Sequence, residues 1–192
     1  MAPDVAIASL ATYEQSAEPQ GTGRSPDPRW HALWTRSNCE QLVADQLATK
    51  GFRLFLPKLE AWIRRRGVRY RTQVPMFPGY LFLHHAIDKA SYLAICQVTG
   101  LVRVLGERWD RLAIVPPADI EVIQRVLRAR LRVLHHPYLR HGQRVRITSG
   151  PLVDVEGILV RSRPNRGLVV ISIDMLQRSI AVEVDSTLVE AA

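Results

Sequence analysis

The run VPMFPGYLFL, residues 74–83, is the most hydrophobic and aromatic-rich stretch of a strongly basic chain. Side chains alternate between two faces along a β-strand, so Tyr80 and Phe82 share one face while Leu81 and Leu83 share the other. Both faces are therefore apolar, and the side chains on each must pack against other groups to be shielded from water. Spacing alone leaves two alternatives for the aromatic face. It is either ordinary core, which is the commoner case, or a surface that meets a partner.

The charge of the chain indicates a polyanionic partner. Its 192 residues suit one medium domain or two small ones. The 26 Lys and Arg residues exceed the 18 Asp and Glu residues, which gives a net charge of +8. Such an excess favours nucleic acid as a partner, and a basic but inert surface is the alternative.

The excess charge is concentrated in the middle of the chain. Residues 1–28 are rich in Ala, Ser, Gly and Pro with a net charge of −3, which predicts a disordered tail. Residues 29–131 carry 17 basic and 8 acidic residues, for a net charge of +9. Residues 132–192 carry a net charge of +2. The middle segment is where a polyanion is expected to bind.

The middle segment alternates strand and helix signals. RWHALWTR predicts a strand, and Ser37 with Glu40 then matches a capping box that begins a helix ending at Gly51. FRLFLP predicts a second strand, WIRRRGVRYRTQ predicts a hairpin or a long loop turning at Gly67, and LVRVLG predicts a further strand. Asp88 is placed to cap a short helix, and residues 116–131 predict another. The order predicts an α+β class, with a mostly antiparallel sheet and helices packed on it.

The last part of the sequence has a different character. HHPYLRHG predicts a linker, and the short runs RVRITS, GILVRS, LVVISI and SIAVEV follow, separated by turn residues. Short strands at this spacing predict a small β-barrel, and the Gly and Pro residues disfavour helix.

The sequence carries no pattern typical of a catalytic or metal site. Cys39 and Cys96 form no CxxC pair, which argues against a disulfide framework or a zinc site. The histidines lack Cys or acidic partners at ligand spacing; they are His31, His84, His85, His135, His136 and His141. No nucleophile elbow, phosphate loop or paired-carboxylate motif occurs. We therefore expect no enzyme, no cofactor and no metal. With no signal peptide and no long apolar run, we expect a cytoplasmic protein without a membrane partner.

Together, these motifs resemble those of the NusG family of transcription elongation factors. The resemblance rests on WHALWTR, FLP, PMFPGYLFL and GQRVRITSGPLVDVEGILV in this order, and it covers about residues 29–190. The last of these is similar to a KOW motif, which alone would be a weaker signal because ribosomal proteins also carry it. The resemblance implies a NusG N-terminal domain at 29–131, a linker at 132–141 and an SH3-like KOW barrel at 142–192.

Members of this family are not enzymes, and the resemblance also implies a partner and a site. The N-terminal domain is expected to bind bacterial RNA polymerase at the clamp helices of its largest subunit, to suppress pausing and to touch non-template DNA. The implied polymerase-binding residues are Trp34, Phe77, Tyr80 and Phe82. Tyr80 and Phe82 are then expected to face outward with Trp34, and Leu81 and Leu83 to face the helices of the domain. Phe77, which precedes Pro78, has the alternative role of anchoring the turn.

Basic residues are the candidates for DNA contact. Arg36 and Arg66 fall at positions similar to those that RfaH-type members use for DNA. The cluster around Arg66 comprises Arg64, Arg65, Arg69 and Arg71. Arginine suits phosphate because its planar fork can bind two oxygens. The alternative is that each of these arginines is merely solvated, and no stacking motif of the RNA-recognition type accompanies them.

One departure from the family pattern bears on the finer function. General NusG proteins usually carry Phe-Gly-Arg where this chain has Leu176-Gln177-Arg178, at a surface associated with the termination factor Rho and with a ribosomal protein. A specialised, RfaH-like and operon-specific paralog is therefore expected. The alternatives are a general NusG factor or a KOW-type RNA-binding or ribosome-associated protein. Ribosomal-protein contact through the KOW domain stays open, Rho contact is disfavoured, and a monomer is expected.

Overall fold

The computed structural model describes residues 6–9, 27–65, 68–136, 142–163, 166–173, 176, 178–185 and 188–192. Within them the helices are α1 (Glu40–Thr49), α2 (Lys89–Cys96) and α3 (Pro117–Arg128). In chain order the strands are β1 (Ala6–Ser9), β2 (Arg29–Thr35), β3 (Arg53–Phe55), β4 (Lys58–Arg65), β5 (Val68–Pro75), β6 (Tyr80–His85), β7 (Leu101–Val104), β8 (Gly106–Arg108), β9 (Arg111–Leu112), β10 (Arg132–His136), β11 (Gln143–Ile147), β12 (Glu156–Arg163), β13 (Arg166–Ile173), β14 (Arg178–Val184) and β15 (Val189–Ala191).

These elements form two compact units. One holds the described parts of residues 11–57 and 77–117, and the other holds those of 1–10, 58–76 and 118–192. All the sheet pairings are antiparallel, so the predicted α+β class is confirmed. The boundaries 29–131, 132–141 and 142–192 stay a prediction. The unit with the C-terminal strands also contains β4, β5 and α3.

A four-stranded sheet in the order β3-β6-β2-β7 organises the first unit. One of its faces carries Leu33, Leu81 and Leu83, which form a buried core with Leu47 of α1 and Ile95 of α2. The prediction that Leu81 and Leu83 face the helices is therefore confirmed. Burial of such apolar side chains stabilises the unit because apolar surface is removed from water.

Local signals place both helices of this unit, although one predicted cap is wrong. The Asp88 carboxylate accepts a hydrogen bond from the Ser91 amide at 2.7 Å, which confirms Asp88 as the cap of α2. Gly51 has a φ of +84°, as a glycine after the end of α1 requires. The predicted capping box of Ser37 and Glu40 does not form. The residue before α1 is Cys39, whose side chain makes no capping bond.

The second unit is built on a nine-stranded sheet in the order β15-β11-β12-β13-β14-β10-β1-β4-β5. The hairpin of β4 and β5 is confirmed, since Arg65 pairs with Val68 across its end. The expected runs of the C-terminal region also form strands β11 to β14. This sheet-rich region agrees with the KOW-type domain that the resemblance implies.

Two strands of this sheet lie where the sequence predicted irregular chain. Ala6–Ser9, within the predicted disordered tail, is β1 and pairs with both β10 and β4. Arg132–His136, within the predicted linker, is β10 and pairs with β14. Val133 of β10 is buried and lies opposite Val182. Both strands depend on partners distant in sequence, which local composition does not reveal.

Helix α3 contacts a C-terminal turn within the same unit. The buried residues of this helix are Ile120, Ile123, Val126 and Leu127. Arg125 on α3 donates hydrogen bonds to the carbonyl oxygens of Pro151 at 3.0 Å and Val153 at 2.5 Å. In the described part of the chain, no helix has both the length and the apolarity to cross a bilayer.

Candidate functional site

A tight turn leads from the aromatic run into strand β6. Pro78 and Gly79 occupy its two central positions, and the Tyr80 amide donates to the Phe77 carbonyl at 3.0 Å. Gly79 has a φ of +85°. Proline followed by a residue of positive φ is the signature of a type II turn, and glycine adopts that φ without strain. The Pro-Gly dipeptide therefore explains why the chain reverses here.

Two hydrogen bonds attach this turn to the rest of the unit. The Gly79 amide donates to the Glu40 carboxylate at 2.6 Å, and the Gly79 carbonyl accepts from the Thr35 amide at 2.8 Å. Glu40 is buried at the start of α1, and Thr35 ends β2. The turn is thus fixed to a helix and to a strand at once. Glu40, expected at this position as a capping residue, serves instead as an acceptor for the turn.

The fixed turn brings Trp34 and Tyr80 together at the end of the sheet. The two residues are directly paired on β2 and β6, and Trp34 also pairs with Arg103 of β7. Trp34 is 40% exposed, Tyr80 is partly exposed, and the Arg103 guanidinium carbon lies 5.7 Å from the Trp34 ring centroid. That distance suits a cation–π contact. We call Trp34, Tyr80 and Arg103 the Trp34 patch.

The other two predicted polymerase-binding residues lie in the interior of the unit. Phe82 is 0% exposed and Phe77 is 1% exposed. The Phe82 ring has its centroid 6.0 Å from that of Phe55 and 6.1 Å from that of Phe77. The expectation that Phe82 faces outward with Trp34 is therefore wrong for this structure. Phe82 is central in β6, between β2 and β3, so neighbouring rings cover it, whereas Tyr80 begins the strand beside the turn.

The predicted DNA-binding arginines are distributed over both units. Arg36 is exposed directly after β2 in the first unit, and its amide donates to the Gly100 carbonyl at 2.8 Å. Arg69 and Arg71 are exposed on β5 in the second unit. Arg71 forms an ion pair with Glu60 of β4. The side chains of Arg64 and Arg65, and the whole of Arg66, lie outside the described residues.

The sequence analysis overlooked an exposed tryptophan in the basic hairpin. Trp62 of β4 is 47% exposed and lies directly opposite Arg71. It precedes the run IRRR, and an aromatic residue beside a basic run is a signal that could have identified it.

The three histidines of the first unit are held close to neutral. Burial lowers the pKa of His31, His84 and His85 below the ordinary value. The ring centroid of His84 lies 4.7 Å from that of Trp30. The ring centroid of His85, on the opposite face of the sheet, lies 4.9 Å from that of Phe52. These histidines therefore add little positive charge near pH 7. Across the described ranges, no group of three or more His, Cys, Asp and Glu side chains is placed to hold a metal ion.

The comparisons with known proteins agree with this fold. The family described as "Transcription termination factor nusG" matches residues 28–124. The chain belongs to the NusG family. This confirms the resemblance seen in the sequence. Because the NusG family consists of non-enzymatic transcription factors, the expectation that the chain is not an enzyme is confirmed by its family.

Individual NusG relatives match nearly their whole length. The chain is 24% identical to the "Transcription termination/antitermination protein NusG" of Escherichia coli (strain K12), over 88% of this chain and 98% of the relative. It is also 24% identical to the same protein of Buchnera aphidicola, over 86% of this chain and 97% of the relative. A solved structure described as "Domain interaction in Thermotoga maritima NusG" matches at a TM-score of 0.57 and 19% identity, covering 87% of this chain and 98% of that one. This likeness supports the fold.

The bond between Glu40 and the turn leads to a stability prediction. Replacing Glu40 with Ala leaves the Gly79 amide without its acceptor, so the free energy of unfolding should fall by about 1–3 kcal/mol. Glu40→Gln keeps a carbonyl oxygen at that position and should lose less. Urea denaturation followed by circular dichroism measures both variants. Equal losses in the two variants, or no loss in Glu40→Ala, would contradict the role given to this bond.

Proposed function

We propose that this NusG-family chain is a transcription elongation and antitermination factor that binds RNA polymerase through the Trp34 patch. The proposed contact is with the clamp helices of the largest subunit, and its proposed effect is to suppress pausing or termination. The observation that carries the proposal is an exposed tryptophan paired with Tyr80 at the end of the sheet, beside a turn held by a partly buried hydrogen bond to Glu40. A cytoplasmic, monomeric factor is part of the same proposal.

The chemistry of the patch suits a helical partner. Tryptophan, tyrosine and arginine are the residues most enriched among those that dominate binding energy at protein interfaces. An amphipathic helix places apolar side chains against such a surface at intervals of one turn. Because the turn and the strand pairing hold Trp34 and Tyr80 in place, little conformational entropy is lost on binding.

Phe77 and Phe82 take a supporting role in this proposal. Both are buried, and the ring of Phe82, which lies on the same strand as Tyr80, packs edge-on against that of Phe77. Their contribution is to position Tyr80 and the turn, which makes them positioning residues for the contact. A substitution such as Phe82→Ala opens the core and costs about 3–5 kcal/mol of stability, so it does not test the contact directly.

DNA is the second proposed partner, through Arg36 and the arginines of the β4–β5 hairpin. The hairpin arginines are Arg64, Arg65, Arg66, Arg69 and Arg71. Arg69 and Arg71 are exposed at the far end of the hairpin, where phosphates could reach them. The net charge of +8 on the chain favours a polyanionic partner such as DNA by long-range attraction.

An operon-specific role is proposed over a general one because of the C-terminal region. Leu176 occupies the aromatic position of the general pattern, and its side chain is buried. A buried aliphatic residue offers no exposed ring there for Rho or a ribosomal protein. Rho contact is therefore not part of the proposal, and ribosomal-protein contact through the KOW domain is left to experiment.

The polymerase contact predicts a specific loss in two variants. Trp34→Ala and Tyr80→Ala should each weaken binding to core RNA polymerase by roughly 2 kcal/mol, or about thirtyfold, because each removes an exposed aromatic anchor. Biolayer interferometry with core polymerase and with isolated clamp helices measures the loss. Trp109→Ala is the matched control, since Trp109 is 42% exposed in the same compact unit.

Two results would contradict this contact. The first is wild-type affinity in a folded Trp34→Ala, Tyr80→Ala double variant. The second is no binding of the wild-type chain to core polymerase, which would favour the KOW-type RNA-binding or ribosome-associated alternative. Circular dichroism of each variant separates lost contact from lost fold.

The DNA contact predicts a change in salt dependence. Replacing Arg64, Arg65 and Arg66 with Gln should weaken DNA binding most at low salt and reduce the slope of log affinity against log salt by about two to three. Titration of labelled DNA at two salt concentrations measures this slope. Arg108→Gln with Arg111→Gln is the control, because these arginines are ion-paired with Asp110 at 3.2 Å and Glu107 at 3.9 Å. An unchanged slope would show that these three arginines do not contact DNA phosphates.

The operon-specific role predicts restricted occupancy on the genome. Chromatin immunoprecipitation of the tagged chain should give signal on few transcription units, because a specialised paralog acts on particular operons. Immunoprecipitation of core polymerase from the same cells provides the reference for active transcription. Signal on nearly all transcribed units would indicate the general NusG role instead.

A further inference from the structure

The end of the β4–β5 hairpin exposes an aromatic side chain among arginines. Strand alternation puts Glu60 and Trp62 of β4 on the same side as Arg69 and Arg71 of β5, as the ion pair between Glu60 and Arg71 requires. Residues Val68 to Arg71 are all exposed, so this end of the hairpin lies in solvent. Directly opposite residues have Cβ atoms about 5 Å apart and diagonal ones about 7 Å apart. Trp62 therefore has Arg71 opposite it and Arg69 on the diagonal.

The charge on this side of the hairpin is positive and only partly neutralised. Glu60 is the single acidic residue in the sequences of β4 and β5. The Glu60 carboxylate forms an ion pair with Arg71. Among the residues that the structure describes, Arg69 has neither an acidic partner nor a side-chain hydrogen bond. An exposed, uncompensated guanidinium is suited to a phosphate.

The setting of Trp62 differs from that of Trp109, an exposed tryptophan with an arginine close to it on either side in the sequence. Trp109 lies at the turn of β8 and β9, where Arg108 and Arg111 each have an acidic partner. Trp62 is 47% exposed and Trp109 42%, so exposure does not distinguish them. What distinguishes Trp62 from Trp109 is Arg69 on the diagonal, which has no acidic partner among the described residues. An exposed ring with such a cation across the strand pair matches a nucleotide, which has a flat base and an adjacent phosphate.

We propose that the Trp62 side of the β4–β5 hairpin binds single-stranded DNA, with one base stacked on the Trp62 indole and a neighbouring phosphate held by Arg69. Duplex DNA is disfavoured because its base faces are already stacked on each other. The choice of DNA rests on the proposed function, in which the polymerase-bound factor meets the non-template strand. Stacking accepts any base, so this site adds affinity for unpaired strands with little sequence preference.

The test measures the anisotropy of fluorescein-labelled oligonucleotides with the full chain at low salt. The probes are a twelve-nucleotide oligothymidylate, the matching oligouridylate and a twelve-base-pair DNA duplex. Trp62→Ala should weaken oligothymidylate binding by about five- to one-hundredfold, and it should change duplex binding less than twofold. Trp62→Phe, which keeps a ring, should recover most of the affinity. Trp109→Ala is the control and should bind as the wild type does.

Arg69→Gln separates the phosphate contact from stacking. It should weaken binding to the single strand and to the duplex alike, and it should lower the salt slope for the single strand by about 0.7. The proposal is overturned if Trp62→Ala binds oligothymidylate as tightly as the wild type does, or if Trp62→Ala and Trp109→Ala lose equal affinity for it. It is also overturned if the wild-type chain binds oligouridylate more tightly than oligothymidylate. Binding of each variant to core polymerase is measured in parallel. If the wild-type chain binds core polymerase but not the single strand, only the Trp62 site is refuted. If the wild-type chain does not bind core polymerase, the proposed function is refuted.

Discussion

The hydrogen bond from the Gly79 amide to the buried Glu40 carboxylate holds together the elements that carry the Trp34 patch. It joins the start of α1 to the turn before β6, while the Gly79 carbonyl accepts from Thr35 at the end of β2. Removing the acceptor of this partly buried amide costs stability, so the turn, the helix start and the strand end depend on one another. The position of Tyr80 beside Trp34 follows from that dependence.

The four-stranded sheet shows how one alternating pattern leads to two different outcomes. Leu81 and Leu83 meet the helices, as their spacing predicts. Tyr80 and Phe82 share the opposite face by the same spacing, yet Phe82 is fully buried and Tyr80 partly exposed. The difference arises along the strand, because Phe82 lies between Phe55 and Phe77 whereas Tyr80 lies next to the turn. Periodicity assigns a residue to a face, and only its neighbours decide its exposure.

In the second unit, local sequence signals likewise predict some strands and not others. The hairpin of β4 and β5 and the strands β11 to β14 have strong local signals and were predicted. Strands β1 and β10 have weak local signals, and each is held by pairing with strands distant in the sequence. The contact of Arg125 with the carbonyls of Pro151 and Val153 is likewise invisible in the sequence, since it joins residues far apart in the chain.

The sequence by itself determined the α+β class, the caps at Asp88 and Gly51, the Pro-Gly turn, the hairpin and the membership of the NusG family. These features depend on neighbouring residues or on the order of motifs along the chain. The tertiary structure decided that Glu40 binds the turn instead of capping its helix, that Phe77 and Phe82 are buried, and that Trp62 lies exposed opposite Arg71. Each of these depends on which distant groups come within hydrogen-bonding or packing distance, a relation that spacing along the chain does not contain.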